Sequence, residues 1–106
     1  MTDYRYILSD LKKHLQNKYG NSIKDVILFG SRARGDSMEF SDYDILIVLN
    51  TNYSWRDEDK ILDLCYDIDL KYNILIDAHL ISKNELNTIR GRQPVFINAI
   101  KSGIYA

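Results

Sequence analysis

Two short aliphatic runs on either side of a polar stretch constrain the fold more than any other feature of the sequence. Residues 25–29 (DVILF) end abruptly at Gly30, and residues 45–49 (ILIVL) follow directly after Asp42 and Asp44. Short apolar runs bounded by glycine and polar residues are typical of buried strands. If the two strands pair antiparallel, the end of the first lies beside the start of the second. We therefore expect Gly30 to lie next to the two aspartates.

The rest of the chain alternates between helical and strand patterns. Apolar residues recur at helical spacing over residues 4–19 and again over residues 55–72. Residues 74–80 (ILIDAHL) form a third aliphatic run, and Pro94 is a favoured first residue for a last helix that stops at Gly103. Helices that alternate with buried strands indicate an α/β or α+β domain. We predict a small mixed β-sheet of three or more strands, flanked by helices.

Length, charge and cysteine content exclude several classes of protein. The 106 residues fit a single domain over residues 1–106, and the net charge of −1 excludes a broad basic surface for nucleic acid. The single cysteine, Cys65, cannot form an internal disulfide, and with only two histidines a structural zinc site is not expected. The sequence has no apolar stretch of membrane-spanning length and no signal-peptide pattern at its start. We expect a cytoplasmic protein.

Three acidic residues lie where a metal site is favoured. Asp42 and Asp44 are two residues apart at the start of a strand, so their side chains should point to one face. Carboxylates this close repel each other, and a hard cation such as Mg²⁺ relieves the repulsion. Asp77 interrupts an aliphatic run, where a buried acid is costly unless it is paired or binds metal. If the third strand neighbours the second, the three carboxylates can hold two ions.

The glycine–serine pair that ends the first strand is suited to phosphate. Gly30 lets a phosphate approach the backbone, and Ser31 supplies an N–H and a hydroxyl. The spacing of Gly30 and Gly35 is also close to that of a Walker A loop. Such a loop needs a lysine at the position of Asp36, whose charge would repel phosphates. We therefore set the P-loop interpretation aside.

Simpler interpretations exist for the individual residues. Asp42 alone is typical of a turn or helix-cap acid, and Asp44 alone of a strand-edge acid. Asp77 has the alternative of a buried ion pair with an arginine such as Arg90. His79 shares a strand face with Asp77, and a packing role is favoured for it over a ligand role.

The joint pattern resembles a known family. Gly30-Ser31, ten intervening residues and Asp42-x-Asp44, within LFGSRARGDS…SDYDILIV, is similar to the signature of the DNA polymerase β-type nucleotidyltransferase superfamily. The motif is similar to that of the minimal nucleotidyltransferase branch, which includes antitoxins paired with HEPN-domain toxins. The resemblance extends from the first helix through the third strand, and it implies that residues 1–106 are a single minimal nucleotidyltransferase domain.

The resemblance implies a role for each matching residue. Gly30 and Ser31 would grip the triphosphate of the nucleotide, and Asp42 and Asp44 would bind metal. Asp77 would be the third carboxylate, which in active relatives helps to bind the catalytic metal and accepts the proton of the attacking hydroxyl. In addition, Arg32 and Arg34 would offset phosphate charge.

The resemblance also implies an activity and a partner. A Mg²⁺-dependent enzyme with two ions would transfer AMP from ATP to a hydroxyl, such as that of a tyrosine, on a HEPN-domain protein. Larger members of the family carry a further domain that chooses the acceptor, so a partner protein would supply that surface here. Two alternatives stay open. The chain could neutralise a toxin by binding without catalysis, or it could modify a hydroxyl of a small molecule.

Overall fold

The computed structural model describes residues 3–35 and 42–106. Its α-helices are α1 (Tyr4–Tyr19), α2 (Ser31–Arg34), α3 (Trp55–Tyr72) and α4 (Pro94–Ser102), and its strands are β1 (Ile23–Phe29), β2 (Tyr43–Leu49), β3 (Ile76–Ser82) and β4 (Ile104–Tyr105). Single 3₁₀ turns follow α1 and β3. The predicted α+β class with a small mixed sheet is confirmed. Asp36, the residue that argued against a P-loop, lies outside the described residues.

The four strands form one sheet in the order β3-β2-β1-β4. β1 pairs antiparallel with β2, which puts Phe29 opposite Asp44. β2 pairs parallel with β3, which puts Asp44 opposite Asp77. The pairing expected from the aliphatic runs is therefore confirmed, including the neighbouring position of the third strand. β4 pairs antiparallel with β1 at the other edge.

Both long helices begin and end at residues that satisfy their free backbone groups. The Asp3 side chain accepts a hydrogen bond from the Arg5 N–H at 2.9 Å at the start of α1. α3 begins with a reciprocal capping box between Ser54 and Asp57, and it ends at Asn73 in a left-handed conformation. Local capping chemistry thus sets the bounds of these helices close to those that the sequence predicts.

The sheet is buried on both faces, so the domain has three layers. On one face, α1 and α3 pack against alternate strand residues in a cluster that includes Val26, Leu28, Ile45 and Ile47. On the other face, Phe96 and Ala99 of α4 pack against Ile27, Leu46, Val48 and Ile81. Because side chains alternate along a strand, Asp44 and Asp77 belong to the face that α4 covers. No helix in the described part of the chain is long and apolar enough to cross a membrane.

Several details differ from the sequence prediction. β1 and β2 each begin two residues before the predicted runs, and α2 lies in the stretch described only as polar. β3 runs over Ile76–Ser82 rather than residues 74–80, because Ile74 still donates its N–H to the Asp69 carbonyl at the end of α3. β4 was not predicted, because two residues are too few to give a periodic signal.

Candidate active site

Two carboxylates and an imidazole meet where β2 and β3 begin. Asp44 and Asp77 are register partners on adjacent parallel strands, and His79 lies two residues beyond Asp77 on the same face. One potential ligand atom from each of these residues lies within 4.8 Å of the other two. The Nε2 atom of His79 is 3.5 Å from Oδ2 of Asp77. We call Asp44, Asp77 and His79 the β2–β3 cluster.

The electrostatics of the β2–β3 cluster favour a cation. Burial raises the pKa of Asp44, the negative charge of Asp77 raises it further, and His79 opposes the rise. A half-buried carboxylate that faces a second carboxylate is costly to ionise unless a positive charge lies between them. The donor set of two carboxylates and one imidazole therefore fits a divalent cation.

Asp42 adds negative charge from just outside the cluster. It immediately precedes β2 and is exposed, and its charge contributes to the raised pKa of Asp44. Tyr43, between the two aspartates, is buried among the side chains that pack against α1 and α3 on the opposite face. The structure therefore brings Asp44 and Asp77 together as predicted, with Asp42 at the edge of the site.

Gly30 is fitted tightly against the cluster. Its φ of 78° and ψ of −154° lie in a region that essentially only glycine adopts. A Cβ atom at Gly30 would overlap the carboxylate of Asp44. The turn from β1 into α2 thus brings the Gly30–Ser31 backbone to the same edge of the sheet as Asp44.

The two arginines of α2 have different surroundings. The Arg32 guanidinium lies 4.2 Å from the centre of the Tyr43 ring, a cation–π geometry that joins α2 to the start of β2. Arg34 lines a cleft of about 440 Å³ between α2 and α4, together with Gly30, Val95 and Asn98. This volume is in the range of small-molecule sites.

The ion pair considered for Asp77 is not formed. Arg90 pairs with Glu85 at 3.2 Å and donates to the Leu80 carbonyl at 2.8 Å. The Asp77 side chain is 53% exposed, so the interpretation as a buried ion pair is wrong. His79 does pack, with its ring centre 5.6 Å from that of Phe29, but it also belongs to the β2–β3 cluster. The sequence signal for the place of His79 in the cluster was its position two residues after Asp77.

Comparison with known proteins finds a matching family and several similar proteins, and all of them indicate nucleotidyl transfer. Residues 8–105 match the family described as Nucleotidyltransferase domain. Two proteins of Methanocaldococcus jannaschii, each named "Putative protein adenylyltransferase", are similar to this chain. One is 45% identical over 69% of this chain and 68% of its own length. The other is 36% identical over 73% of this chain and 78% of its own length.

Proposed function

The chain belongs to the nucleotidyltransferase domain family, in its minimal branch, and is a nucleotidyltransferase, and on that premise we propose that it transfers AMP from ATP to a hydroxyl group of a partner protein. The observation that carries the proposal is the pairing in register of Asp44 with Asp77, directly beside Gly30. Metal-binding carboxylates and a close-approach backbone then lie at one edge of the sheet. The adenylyl group and the protein acceptor are supported by the names of the relatives.

In this proposal the turn after β1 binds the triphosphate. Gly30 has no side chain, so phosphate oxygens can reach the backbone, and Ser31 offers a hydroxyl and an N–H. Arg32 and Arg34 lie in the next turn and offset phosphate charge. The cleft between α2 and α4 begins at Gly30, so the nucleoside has an adjacent place to bind.

Asp42, Asp44 and Asp77 would hold Mg²⁺, and three carboxylates are enough for two ions. When bound, the metal neutralises phosphate charge and stabilises the attacking and leaving oxygens. Asp44 and Asp77 approach from neighbouring strands, and Asp42 adds a carboxylate that is open to solvent. Through the metal, these three side chains would fix the orientation of the triphosphate. Positioning of this kind, with electrostatic stabilisation, is the main contribution of a protein to phosphoryl transfer.

The proposed reaction needs only ATP and the acceptor hydroxyl as reactants. The acceptor hydroxyl oxygen forms a bond to the α-phosphorus of ATP, and the bond from that phosphorus to the α–β bridging oxygen breaks. Pyrophosphate leaves, and the hydroxyl proton passes to the Asp77 carboxylate before it is lost to water. Asp77 suits this role because its side chain is half exposed and stands next to Asp44.

We expect the chain, mixed with a co-expressed HEPN-domain partner, α-labelled ATP and Mg²⁺, to label the partner. An Asp42→Asn variant is expected to label it at least about a hundredfold more slowly, because one metal-binding carboxylate is lost. The measurement is label on the partner against time. Equal labelling by both chains, or none by either, contradicts the proposal. A cell-protecting Asp42→Asn/Asp44→Asn chain would favour a binding role without catalysis.

An exposed apolar stripe on α3 supports a protein as the acceptor. Trp55, Leu62, Tyr66 and Leu70 recur at helical spacing on one side of α3, and Trp55, Tyr66 and Leu70 are each more than half exposed. Exposed acids such as Asp59 and Asp63 flank this α3 stripe. The Arg56 guanidinium lies 5.2 Å from the centre of the Trp55 ring at the start of the stripe, but acids outnumber bases among the exposed residues of α3. The complementary occupant is therefore a protein surface with an apolar ridge and a net excess of Lys or Arg.

A Leu62→Glu/Tyr66→Glu variant is expected to raise the KM for the partner about tenfold or more, because charge is added to an apolar contact. Binding of ATP should be unchanged, since α3 presents this stripe away from the sheet. The matched control is Tyr6→Glu on α1, which is 71% exposed and outside the stripe. Equal KM values for all three chains, or a dimer of the chain alone that the double variant abolishes, would contradict this docking surface.

A further inference from the structure

His79 provides a nitrogen donor in a site where the other donors are carboxylate oxygens. Its Nε2 atom is directed at Asp77 Oδ2, at 3.5 Å, and the side chain is 34% exposed. The Phe29 ring packs beside the imidazole at an interplanar angle of 57°. Asp44 faces the same point from the neighbouring strand. Three side chains on two rigid strands therefore converge, and one of them is an imidazole.

An imidazole changes which cations a site prefers. Mg²⁺ is bound through oxygen ligands and keeps several waters, whereas imidazole nitrogen favours borderline first-row transition ions. Affinity for mixed nitrogen and oxygen sites rises through that series from Mn²⁺ to Co²⁺ and beyond. A site with one nitrogen donor should therefore distinguish a transition ion from Mg²⁺ more strongly than carboxylates alone.

We propose that His79 is a metal ligand and that the β2–β3 cluster binds a divalent first-row transition ion in preference to Mg²⁺. The inference rests on the proposed function only in that the same edge of the sheet serves the nucleotide. It concerns the ion held by Asp44 and Asp77, a position that Mg²⁺ fills in the proposed reaction and that a transition ion would occupy more tightly. Asp42, outside the cluster, remains available to the ion that accompanies the triphosphate.

The test uses Co²⁺ alone as the probe, in the absence of nucleotide and partner. Wild-type chain is expected to bind Co²⁺ at least about tenfold more tightly than Mg²⁺ by calorimetry, with visible absorption bands of ligated Co²⁺. His79→Gln should lose at least about tenfold in Co²⁺ affinity and change those bands, while its Mg²⁺ affinity stays within about twofold of wild type. The matched control is His14→Gln, since His14 pairs with Asp67 far from this edge.

A second variant at the same position tests the assignment independently of His79→Gln. His79→Asp replaces nitrogen with oxygen, so the ratio of Co²⁺ to Mg²⁺ affinity should fall, as in His79→Gln. Unchanged ratios in both variants would overturn the assignment of His79. Because binding is measured without ATP, a chain that transfers no nucleotide yet shows His79-dependent Co²⁺ binding contradicts only the proposed function. A chain that transfers AMP with unchanged ratios contradicts only this inference.

Discussion

An Asp44→Asn variant is expected to transfer nucleotide roughly a thousandfold more slowly than the wild type. Asp44 is the one proposed metal ligand that lies in the register of both neighbouring strands, opposite Phe29 and Asp77. An amide in its place keeps the size of the side chain but removes the charge that attracts a cation. The measurement is the rate of label transfer from ATP at saturating partner. The matched control, Asp25→Asn in β1, should keep the full rate, because Asp25 pairs with Lys24 outside the site.

The same variant should be more stable than the wild type when no metal is present. Burial and Asp77 raise the folded-state pKa of Asp44 above its ordinary value of 3.8. A carboxyl whose pKa is raised by folding contributes stability below the unfolded pKa, and this contribution is lost as the pH rises through the folded pKa. The asparagine never ionises, so the Tm of Asp44→Asn should gain on that of wild type as the pH rises above the ordinary carboxyl pKa and through the raised pKa of folded Asp44.

A saturating divalent cation should remove that advantage, because it binds the wild-type site and stabilises the folded state. Parallel curves of Tm against pH for the two chains would mean that Asp44 ionises without cost, which contradicts the environment described for it. A rate within tenfold of wild type would contradict its role in catalysis. The two readouts are independent, since one needs neither ATP nor partner.

The juxtaposition of Gly30 and Asp44 could be predicted from the sequence because it depends on one short pairing. Residues 26–29 and 45–49 are apolar throughout, which favours a buried strand for each, and the polar stretch between them made an antiparallel pair the simplest connection. Tyr43 supports this alternation, because it packs on the face opposite Asp44.

The register of β3 could not be predicted in the same way. A parallel partner returns through a helix, so its register depends on where that helix ends and how the chain enters the strand. Here the Asp69 carboxylate accepts the N–H of Ile76 at 3.0 Å, and the Tyr43 N–H donates to the Leu75 carbonyl at 2.8 Å. These two bonds align Asp77 with Asp44, and no periodic pattern in the sequence encodes them.

The membership of His79 in the cluster follows from that register. The spacing of two residues predicted that His79 shares a strand face with Asp77. Whether the imidazole would meet Asp44 depended on which residue of β2 lay opposite, and on Phe29 as the surface against which the ring packs. The Arg90 ion pair was wrong for a similar reason, because Glu85 in the 3₁₀ turn after β3 lies nearer to that arginine.

A Gly30→Ala variant is expected to lose about 2–5 kcal/mol of folding free energy, and nearly all transfer activity with it. Part of the cost is conformational, since alanine must adopt a φ of 78°. The other part is steric, because the new Cβ overlaps the Asp44 carboxylate and would displace it from Asp77. Thermal and denaturant unfolding measure the stability, and label transfer measures the activity.

The sequence supplies a second glycine of positive φ that lacks the steric contact. Gly35 also has a positive φ, 80°, but its ψ of 11° is left-handed backbone that other residues can adopt, and a Cβ there would meet nothing within 4 Å. Gly35→Ala should therefore lose only about 1–2 kcal/mol, the cost of placing alanine in the left-handed conformation. In a Gly30→Ala/Asp44→Ala chain the colliding carboxylate is gone and the nearest Asp44 atom is its Cβ at 3.3 Å, so the two changes should couple by about 1–3 kcal/mol. Additive effects would mean that glycine is needed at position 30 for its backbone conformation alone, and that its contact with Asp44 does not shape the site.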